Sequence, residues 1–97
     1  MEITQRFKLA EFATKHSNVL NPLNNWIERV ESAKWSNHND LKADFPSADY
    51  VSNNRYVFNI KGNNYRIIVV VVFFACELNV RFAGTHAEYD KIDAKKI

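Results

Sequence analysis

The chain has 97 residues, 46% of them hydrophobic and 25% charged, with a formal net charge of +2. This composition fits one compact domain over residues 1–97 and excludes a disordered chain, while the charge is too small to indicate a nucleic-acid partner by itself. A single cysteine excludes an internal disulfide, and neither a signal-peptide pattern nor an apolar run of roughly 20 residues is present, so we expect a cytoplasmic protein.

The N-terminal part of the chain predicts a short edge strand and two amphipathic helices. The strand covers residues 2–4, and Thr4 is the expected N-cap of a helix over residues 5–15. Either Ser17 or Asn21 is expected to cap the second helix. The apolar stripe of that second helix recurs at helical spacing and consists of Leu23, Trp26, Ile27, Val30 and Ala33.

The region between the helices and the main sheet predicts little regular structure. Asn39 or Asp40 is the expected cap of a single helical turn over residues 41–44, which ends because the residue before Pro46 avoids the helical conformation. A short additional strand is expected within residues 47–51.

Three antiparallel strands follow, and the middle one is β-branched and aromatic for almost its whole length, which is typical of a central strand. Gly62-Asn63 fits a two-residue hairpin turn, and Ala75-Cys76 is the expected second turn, although its residues are weaker turn formers. The predicted strands cover residues 55–61, 64–74 and 77–83.

These two turns fix the residues that face one another across the sheet. The first turn pairs Asn59 with Arg66, and the second pairs Phe74 with Glu77 and Val70 with Arg81; a change of one residue in either turn would exchange the faces of a strand. The core face then carries Tyr56, Phe58, Ile60, Tyr65, Ile67, Val69, Val71, Phe73, Leu78, Val80 and Phe82. The opposite face carries Arg55, Asn59, Lys61, Asn64, Arg66, Asn79 and Arg81 beside Val57, Ile68, Val70 and Val72.

After the sheet, Gly84 is expected to end the third strand. Thr85 and Glu88 fit a capping box, which predicts a helix from His86 to about Ala94, followed by a frayed tail over residues 95–97. The predicted fold class is therefore α+β, with two N-terminal helices packed on a mainly antiparallel sheet of about four strands and a short C-terminal helix.

Four side chains are expected to meet near one edge of this sheet: Arg66, Arg81, His86 and Tyr89. Arginine binds phosphate bidentately, histidine exchanges a proton near neutral pH, and tyrosine stacks on a base or donates a proton. Such a set suits cleavage of RNA by its own 2′-OH, which requires a base, an acid and phosphate neutralisation but no metal.

Simpler interpretations exist for the same residues. The arginines and Lys61 can be solvated surface charges, and His86 and Tyr89 can serve the surface or the packing of a short helix. For His16 and His38 a surface role is favoured. The three histidines and one cysteine show no metal-site spacing, and Cys76 has no neighbouring base in the sequence that would make it a nucleophile.

Several segments resemble the HigB-type mRNA interferase toxins, which belong to the RelE-like superfamily of bacterial type II toxin–antitoxin systems. The Gly84-Thr85-His86-Ala87-Glu88-Tyr89-Asp90 segment after an Arg-Phe strand end is the most specific of them. The others are Phe45-Pro46-Ser47-Ala48-Asp49, Val57-Phe58-Asn59-Ile60-Lys61-Gly62-Asn63 and Tyr65-Arg66-Ile67.

The resemblance implies translation-dependent cleavage of mRNA on the ribosome without a metal or other cofactor. It also implies a HigA-like antitoxin with a helix-turn-helix, contact with operator DNA only through that antitoxin, and no membrane partner. Arg66 and Arg81 would hold the scissile phosphate, and His86 and Tyr89 would transfer protons or stack on a base. The further RNA-binding residues would be Lys61, Lys91, Arg55 and Asn59.

One alternative function remains open, a non-enzymatic RNA- or protein-binding module that uses the same basic face of the sheet. In addition, the apolar hairpin over residues 73–76 fits either an antitoxin contact, a dimer contact or a local variation.

Overall fold

The computed structural model describes residues 1–62 and 64–97. Its helices are α1 (Phe7–Lys15), α2 (Leu20–Ser32), α3 (His38–Asp44) and α4 (His86–Tyr89). Its strands are β1 (Glu2–Thr4), β2 (Asp49–Tyr50), β3 (Arg55–Ile60), β4 (Tyr65–Val72) and β5 (Glu77–Thr85), and short 3-10 turns cover Ser17–Val19 and Phe73–Ala75.

The strands form one mixed sheet in the order β1-β5-β4-β3-β2, in which β1 runs parallel to β5 and the other neighbours are antiparallel. This confirms the α+β class and the central position of β4. Among the described residues the sheet has five strands instead of about four, because both short candidate segments pair with a neighbour. None of the helices within residues 1–62 and 64–97 is long and apolar enough to cross a membrane.

The main core lies between the helices and one face of the sheet. From the helices, Leu9, Phe12, Leu23, Trp26 and Val30 are almost fully buried, and they meet the core face of β3, β4 and β5. Their spacing is that of amphipathic helices with one apolar stripe each, as predicted. The buried sheet residues of this core are Tyr56, Phe58, Ile60, Tyr65, Ile67, Val69, Val71, Leu78 and Val80.

The predicted caps of the first two helices are wrong. The Thr4 hydroxyl accepts a hydrogen bond from the Asn79 side chain at 2.6 Å, and α1 begins only at Phe7, after Gln5 at φ 61°. The 3-10 turn over Ser17–Val19 leads directly into α2, which has no side-chain cap and begins one residue before Asn21. A continuous helical path therefore replaces the expected capped start.

The third helix is longer than the predicted single turn. Its cap is Asn37 instead of Asn39 or Asp40, because the Asn37 side-chain oxygen accepts a hydrogen bond from the Asp40 N–H at 3.0 Å. The helix ends at Asp44, before Phe45 and Pro46, as the sequence predicts.

The first hairpin has the predicted register, with Asn59 opposite Arg66 and Phe58 opposite Ile67. Lys61 and Gly62 lie in the connection between β3 and β4 with φ of 53° and 67°, a conformation that glycine adopts without steric cost. Asn63 lies outside the described residues, so the predicted turn type stays a prediction.

The second hairpin differs from the prediction. Strand β4 ends at Val72 opposite Glu77, and Val70 faces Asn79 instead of Arg81. The connection is a 3-10 turn closed by Cys76, whose φ of 55° lies in the left-handed region. This longer turn changes the register by two residues, so Leu78 keeps its predicted core face.

A β-bulge in β5 causes the main change of face. Ile68 is opposite Phe82 and Val69 is opposite Val80, so Arg81 is an extra residue between two ladder positions. One inserted residue reverses the alternation, and Phe82 therefore packs beside Ile68 on the face opposite the core, which contradicts its predicted core position.

The C-terminal segment covers that second face. Helix α4 ends at Tyr89 instead of continuing to Ala94, and strand β5 passes through Gly84 without a break. Ala94 is 9% exposed and belongs to a second apolar cluster with Val57 and Ile68. In the tail expected to fray, Lys95 and Lys96 are exposed, but Ile97 packs against this cluster. The other side chains packed against this cluster are Val51, Phe82, Tyr89, Ile92 and Ile97.

Candidate functional site

Helix α4 begins where β5 ends. This point lies beside the first residues of β4, at one end of the strands, which we call this edge of the sheet. The capping box is complete: the Thr85 hydroxyl accepts from the Glu88 N–H at 3.1 Å, and the Glu88 carboxylate accepts from the Thr85 N–H at 2.8 Å. The His86 N–H also donates to the Asn64 carbonyl oxygen at 3.1 Å. The local sequence therefore fixes the position of α4 against the sheet, as the motif predicted.

Arg66 and Tyr89 meet at this edge, as predicted. Arg66 is half-buried in β4, between Asn59 on one neighbouring strand and Gly84 on the other. Its guanidinium carbon lies 5.7 Å from the centroid of the Tyr89 ring, within cation–π range. This contact brings a permanent positive charge and an aromatic ring together at the start of α4.

Gly84 keeps this edge compact. A Cβ at this position would lie 2.7 Å from the Phe82 ring and 2.8 Å from a Glu88 carboxylate oxygen. The absence of a side chain therefore allows the capping carboxylate to lie over the strand beside Arg66.

His86 is oriented by a carboxylate one helical turn away. Its Nδ1 lies 3.0 Å from Oδ2 of Asp90, and both side chains are about half exposed. Because the carboxylate only accepts hydrogen bonds, Nδ1 carries a proton, and Nε2 is left to exchange a proton with a ligand.

The Glu88 carboxylate is held in its ionised form. Its pKa is lowered from the ordinary value of 4.5, first by the hydrogen bond from the Thr85 backbone, and burial, the second-largest effect, opposes this lowering. The Thr85 hydroxyl and the positive charges of His16 and Lys15 lower the pKa further. The end of α1 therefore lies close to α4.

His16 is the residue of this edge that the sequence analysis missed. Its ring packs 5.5 Å from the Phe12 ring and 5.2 Å from the Tyr65 ring, measured between centroids. Tyr65 is opposite Thr85, and its hydroxyl donates to the Asn18 side chain at 3.0 Å. The contact joins α1 to β4 across many residues, so no local sequence signal indicates it.

Arg81 reaches the helical layer instead of the predicted position opposite Val70. The bulge places it beside α1, where its carbonyl oxygen accepts a hydrogen bond from the Lys8 ammonium at 3.1 Å. The exposed Arg81 side chain lines a groove together with Lys15. The lining of this groove does not include Arg66, His86 or Tyr89, so Arg81 lies on the side of α1, apart from the other three predicted residues.

The other predicted RNA-binding residues divide into two groups. Lys61 and Asn59 line a cavity of about 210 Å³ together with residues of α2, and Asn59 is opposite Arg66 in the sheet. Exposed Lys91 lies two residues after the end of α4. Arg55 lies at the other end of β3, where its guanidinium donates to the carbonyl oxygens of Ile97 at 2.9 Å and Asn53 at 3.2 Å. Arg55 therefore supports the C-terminal segment and is not brought to the candidate site.

His38 has a structural partner away from this edge. Its Nδ1 lies 2.7 Å from the Tyr56 hydroxyl, and the two rings are stacked. Burial, with a smaller contribution from Tyr50, raises the pKa of Tyr56, so the phenol keeps its proton while it shares a hydrogen bond with His38. The favoured surface role is therefore too simple for His38.

The described side chains contain no group of three or more His, Cys, Asp or Glu residues that could hold a metal ion. Cys76 is exposed in the second hairpin, at the opposite end of β5 from His86.

Comparison with known proteins places the chain among bacterial toxins. Residues 19–92 match the family described as HigB_toxin, RelE-like toxic component of a toxin-antitoxin system. The mRNA interferase HigB of Escherichia coli O6:H1 (strain CFT073) is 29% identical over 94 residues, which are 95% of this chain and 91% of the relative.

Two further relatives agree with this assignment. The mRNA interferase toxin HigB of Escherichia coli K12 and the mRNA interferase HigB of Shigella flexneri are each 36% identical over 83 residues, which are 84% of this chain and 77% of the relative. The family match covers most of the sheet and all of α4. The chain therefore belongs to the HigB toxin family, the RelE-like toxic component of toxin–antitoxin systems.

Proposed function

We propose that this protein is the toxin of a type II toxin–antitoxin pair and that it cleaves mRNA on the translating ribosome, thereby stopping growth. The proposed reaction is metal-independent attack by the 2′-OH of the RNA on the adjacent phosphate. The observation that supports it best is the assembly of Arg66, Tyr89 and the His86–Asp90 pair at one end of the sheet. Relatives that cover most of the chain are named mRNA interferases.

The proposed chemistry needs positive charge at the scissile phosphate. Arg66 supplies it at the centre of the site, and Arg81 supplies more from the side of α1. As the 2′-oxygen bonds to phosphorus, negative charge builds up on the phosphate oxygens, and a fixed guanidinium stabilises that charge. The ring of Tyr89 provides a surface on which a neighbouring base stacks.

The proton has to leave the 2′-OH and another has to reach the departing 5′-oxygen. His86 serves one of these transfers through Nε2, because Asp90 holds Nδ1 and fixes the orientation of the ring. The P–O bond to the 5′-oxygen breaks, and the products are a 2′,3′-cyclic phosphate and a 5′-hydroxyl end. Lys61, Lys91 and Asn59 are the proposed contacts to flanking phosphates.

The proposed partners follow from the family. A toxin of this class acts with an antitoxin, here a HigA-like protein with a helix-turn-helix that contacts operator DNA, and the toxin acts in the cytoplasm. A neighbouring reading frame with a helix-turn-helix supports this proposal, and its absence argues against it.

A non-enzymatic RNA- or protein-binding module is the second candidate function. It is favoured only by the basic residues of the site, which bind RNA without cleaving it as readily as they support cleavage. This candidate predicts salt-dependent RNA binding and no cleaved product.

The test is inducible expression of the wild type and of His86→Ala in a bacterial cell, with primer extension on a translated message. We expect growth arrest and new 5′ ends inside the reading frame for the wild type, and a large loss of both for the variant. His38→Ala serves as the matched control and should still cleave. Soluble wild-type protein that causes neither arrest nor cleavage would favour the binding module.

The attack by the 2′-OH is tested separately with purified components. A message with a single 2′-O-methyl group at a mapped cleavage position should resist cleavage there, whereas other positions are cut at an unchanged rate. Cleavage at the methylated position would reject 2′-OH attack, because a methylated 2′-oxygen cannot act as the nucleophile.

A further inference from the structure

A shallow groove runs between α1 and the second half of β5, and we call it the α1–β5 groove. Its cavity has a volume of about 220 Å³. Lys8, Lys15 and Arg81 are the cationic side chains that line it, and Glu11 is the anionic one, so the lining carries an excess of positive charge. Neither the Lys15 ammonium nor the Arg81 guanidinium forms an ion pair with another described residue.

One end of the α1–β5 groove opens at the candidate site. Lys15 is followed by His16, whose ring packs against Tyr65 opposite the start of α4. The charges of both His16 and Lys15 act on the Glu88 carboxylate of the capping box. One end of the groove therefore lies near the capping box at the start of α4.

The other end of the groove carries an exposed aromatic ring. Phe7 is 55% exposed, and the Lys8 ammonium lies 6.0 Å from the centroid of its ring. An exposed ring between cations is the arrangement with which proteins bind single-stranded nucleic acid, since bases stack on the ring and the cations follow the phosphates.

The β-bulge of β5 places the third cationic side chain, that of Arg81, in the groove. In a regular strand, side chains alternate between the two faces of the sheet, and without an inserted residue Arg81 would follow this alternation. The bulge instead makes Arg81 an extra residue beside α1, where its side chain lines the groove next to Lys15. Bulges frequently redirect a side chain next to functional sites, and this one adds positive charge along the groove.

We infer that the α1–β5 groove holds the single-stranded mRNA segment that flanks the cleaved position, with Lys8, Lys15 and Arg81 on its phosphates and Phe7 under a base. This inference rests on the proposed function of the neighbouring site. RNA is favoured over an acidic protein segment because the groove combines separated cations with an exposed ring, and because one end of it lies near the Glu88 carboxylate at the start of α4.

The test measures binding of a fluorescent, fully 2′-O-methylated RNA oligonucleotide, which cannot be cleaved by 2′-OH attack. Fluorescence anisotropy over a series of salt concentrations compares the wild type with Lys15→Glu and Phe7→Ser. Lys34→Glu is the matched control, because exposed Lys34 follows α2 and lines a different cavity with Trp35 and Phe74. Thermal melts confirm that each variant is folded.

We expect Lys15→Glu to bind about tenfold more weakly than Lys34→Glu, although both change the net charge equally. Its salt dependence should also decrease, by a slope of about 0.7 for each lost phosphate contact. Phe7→Ser should weaken binding by about fivefold or more at all salt concentrations, because stacking does not depend on salt.

Cleavage of a translated message by the same variants separates the two proposals. If the wild type binds the oligonucleotide through Lys15 and Phe7 but cleaves nothing, the groove stands and the enzymatic proposal fails. If the wild type cleaves while Lys15→Glu and Phe7→Ser bind and cleave normally, the groove inference is overturned and the enzyme remains. Variants that bind RNA normally but escape neutralisation by the antitoxin would make the groove a protein interface and also overturn the inference.

Discussion

For Arg66, the register of the strands directly determines the position of a side chain that the proposed chemistry requires. It lies in the register between Asn59 and Gly84, and its guanidinium faces the Tyr89 ring. We expect Arg66→Ala to lower the rate of mRNA cleavage by about 10²–10³, the effect of losing one preorganised stabilising group, and to leave the fold intact. Arg66→Lys should recover only part of this loss, because an ammonium cannot bind phosphate bidentately.

Arg55→Ala provides the control for this prediction at the other end of the same sheet. The Arg55 guanidinium is bound to the carbonyl oxygens of Ile97 and Asn53, so its loss should lower the melting temperature without lowering the cleavage rate of the folded protein. Primer extension at a fixed toxin concentration and thermal melts measure the two effects. Equal losses of cleavage in both variants would contradict the assignment of Arg66.

The capping box of α4 predicts a pH-dependent contribution to stability at the scale of the element. The Glu88 pKa is lowered in the folded protein, so this carboxylate stabilises the fold above its ordinary pKa of 4.5 and loses that effect as the pH falls through the lowered value. Wild type should therefore unfold at a higher urea concentration than Glu88→Gln at pH 7, and the two should converge in acid. Thr85→Ala should cost about 1 kcal/mol at pH 7.

Urea unfolding curves between pH 7 and pH 3 measure this difference. Because the Glu88 side chain is largely exposed, the charged part of its contribution is small, and the decisive observation is its change with pH. A difference between wild type and Glu88→Gln that stays constant over this range would contradict the role of the ionised carboxylate.

The elements differ in how far the sequence predicts them, and turn chemistry explains the difference. Gly62 has the conformational freedom that the first hairpin needs, and the register of that hairpin is correct. Cys76 carries no turn signal and nevertheless adopts a left-handed conformation, so the second register is wrong by two residues. The bulge at Arg81 depends on packing against α1, which local sequence patterns do not contain.

The candidate site shows the same division. His86, Tyr89 and Asp90 lie on one helical turn, so their mutual positions follow from the capping box and helical spacing. Arg66 follows from the correctly predicted first hairpin. His16 joins the site only through the packing of its ring on Tyr65, a tertiary contact between distant parts of the chain.

The C-terminal segment is a further element whose role depends on tertiary packing. Ala94 is buried against Val57 and Ile68, so an ionised carboxylate at this position would lose its hydration without gaining a partner. We expect Ala94→Asp to destabilise the fold by about 1–3 kcal/mol, whereas Lys95→Asp, one residue later at an exposed position, should have little effect. Urea unfolding measures both, and equal stabilities would mean that the segment does not contribute to the fold.

At the scale of the whole molecule, strand β4 is buried from both sides. Ile67, Val69 and Val71 pack into the core beneath the helices, and Ile68 packs beneath the C-terminal segment; all four are at most 1% exposed. Exposing these amides to water therefore requires the separation of both layers. In contrast, β2 consists only of Asp49 and Tyr50, which are exposed at the sheet edge.

We expect native-state hydrogen exchange to reflect this arrangement. The backbone amides of residues 67–71 that bond to β3 and β5 should exchange only through global unfolding, while those of β2 should exchange through local opening at a much lower free energy. Measurement by NMR over a series of low urea concentrations separates the two classes, because only global unfolding depends strongly on urea. If the amides of β4 exchange as fast as those of β2, the two-sided burial of the central strand does not control the stability of the molecule. If the amides of β4 also exchange slowly in Arg66→Ala, that variant is folded, and its loss of cleavage does not result from unfolding.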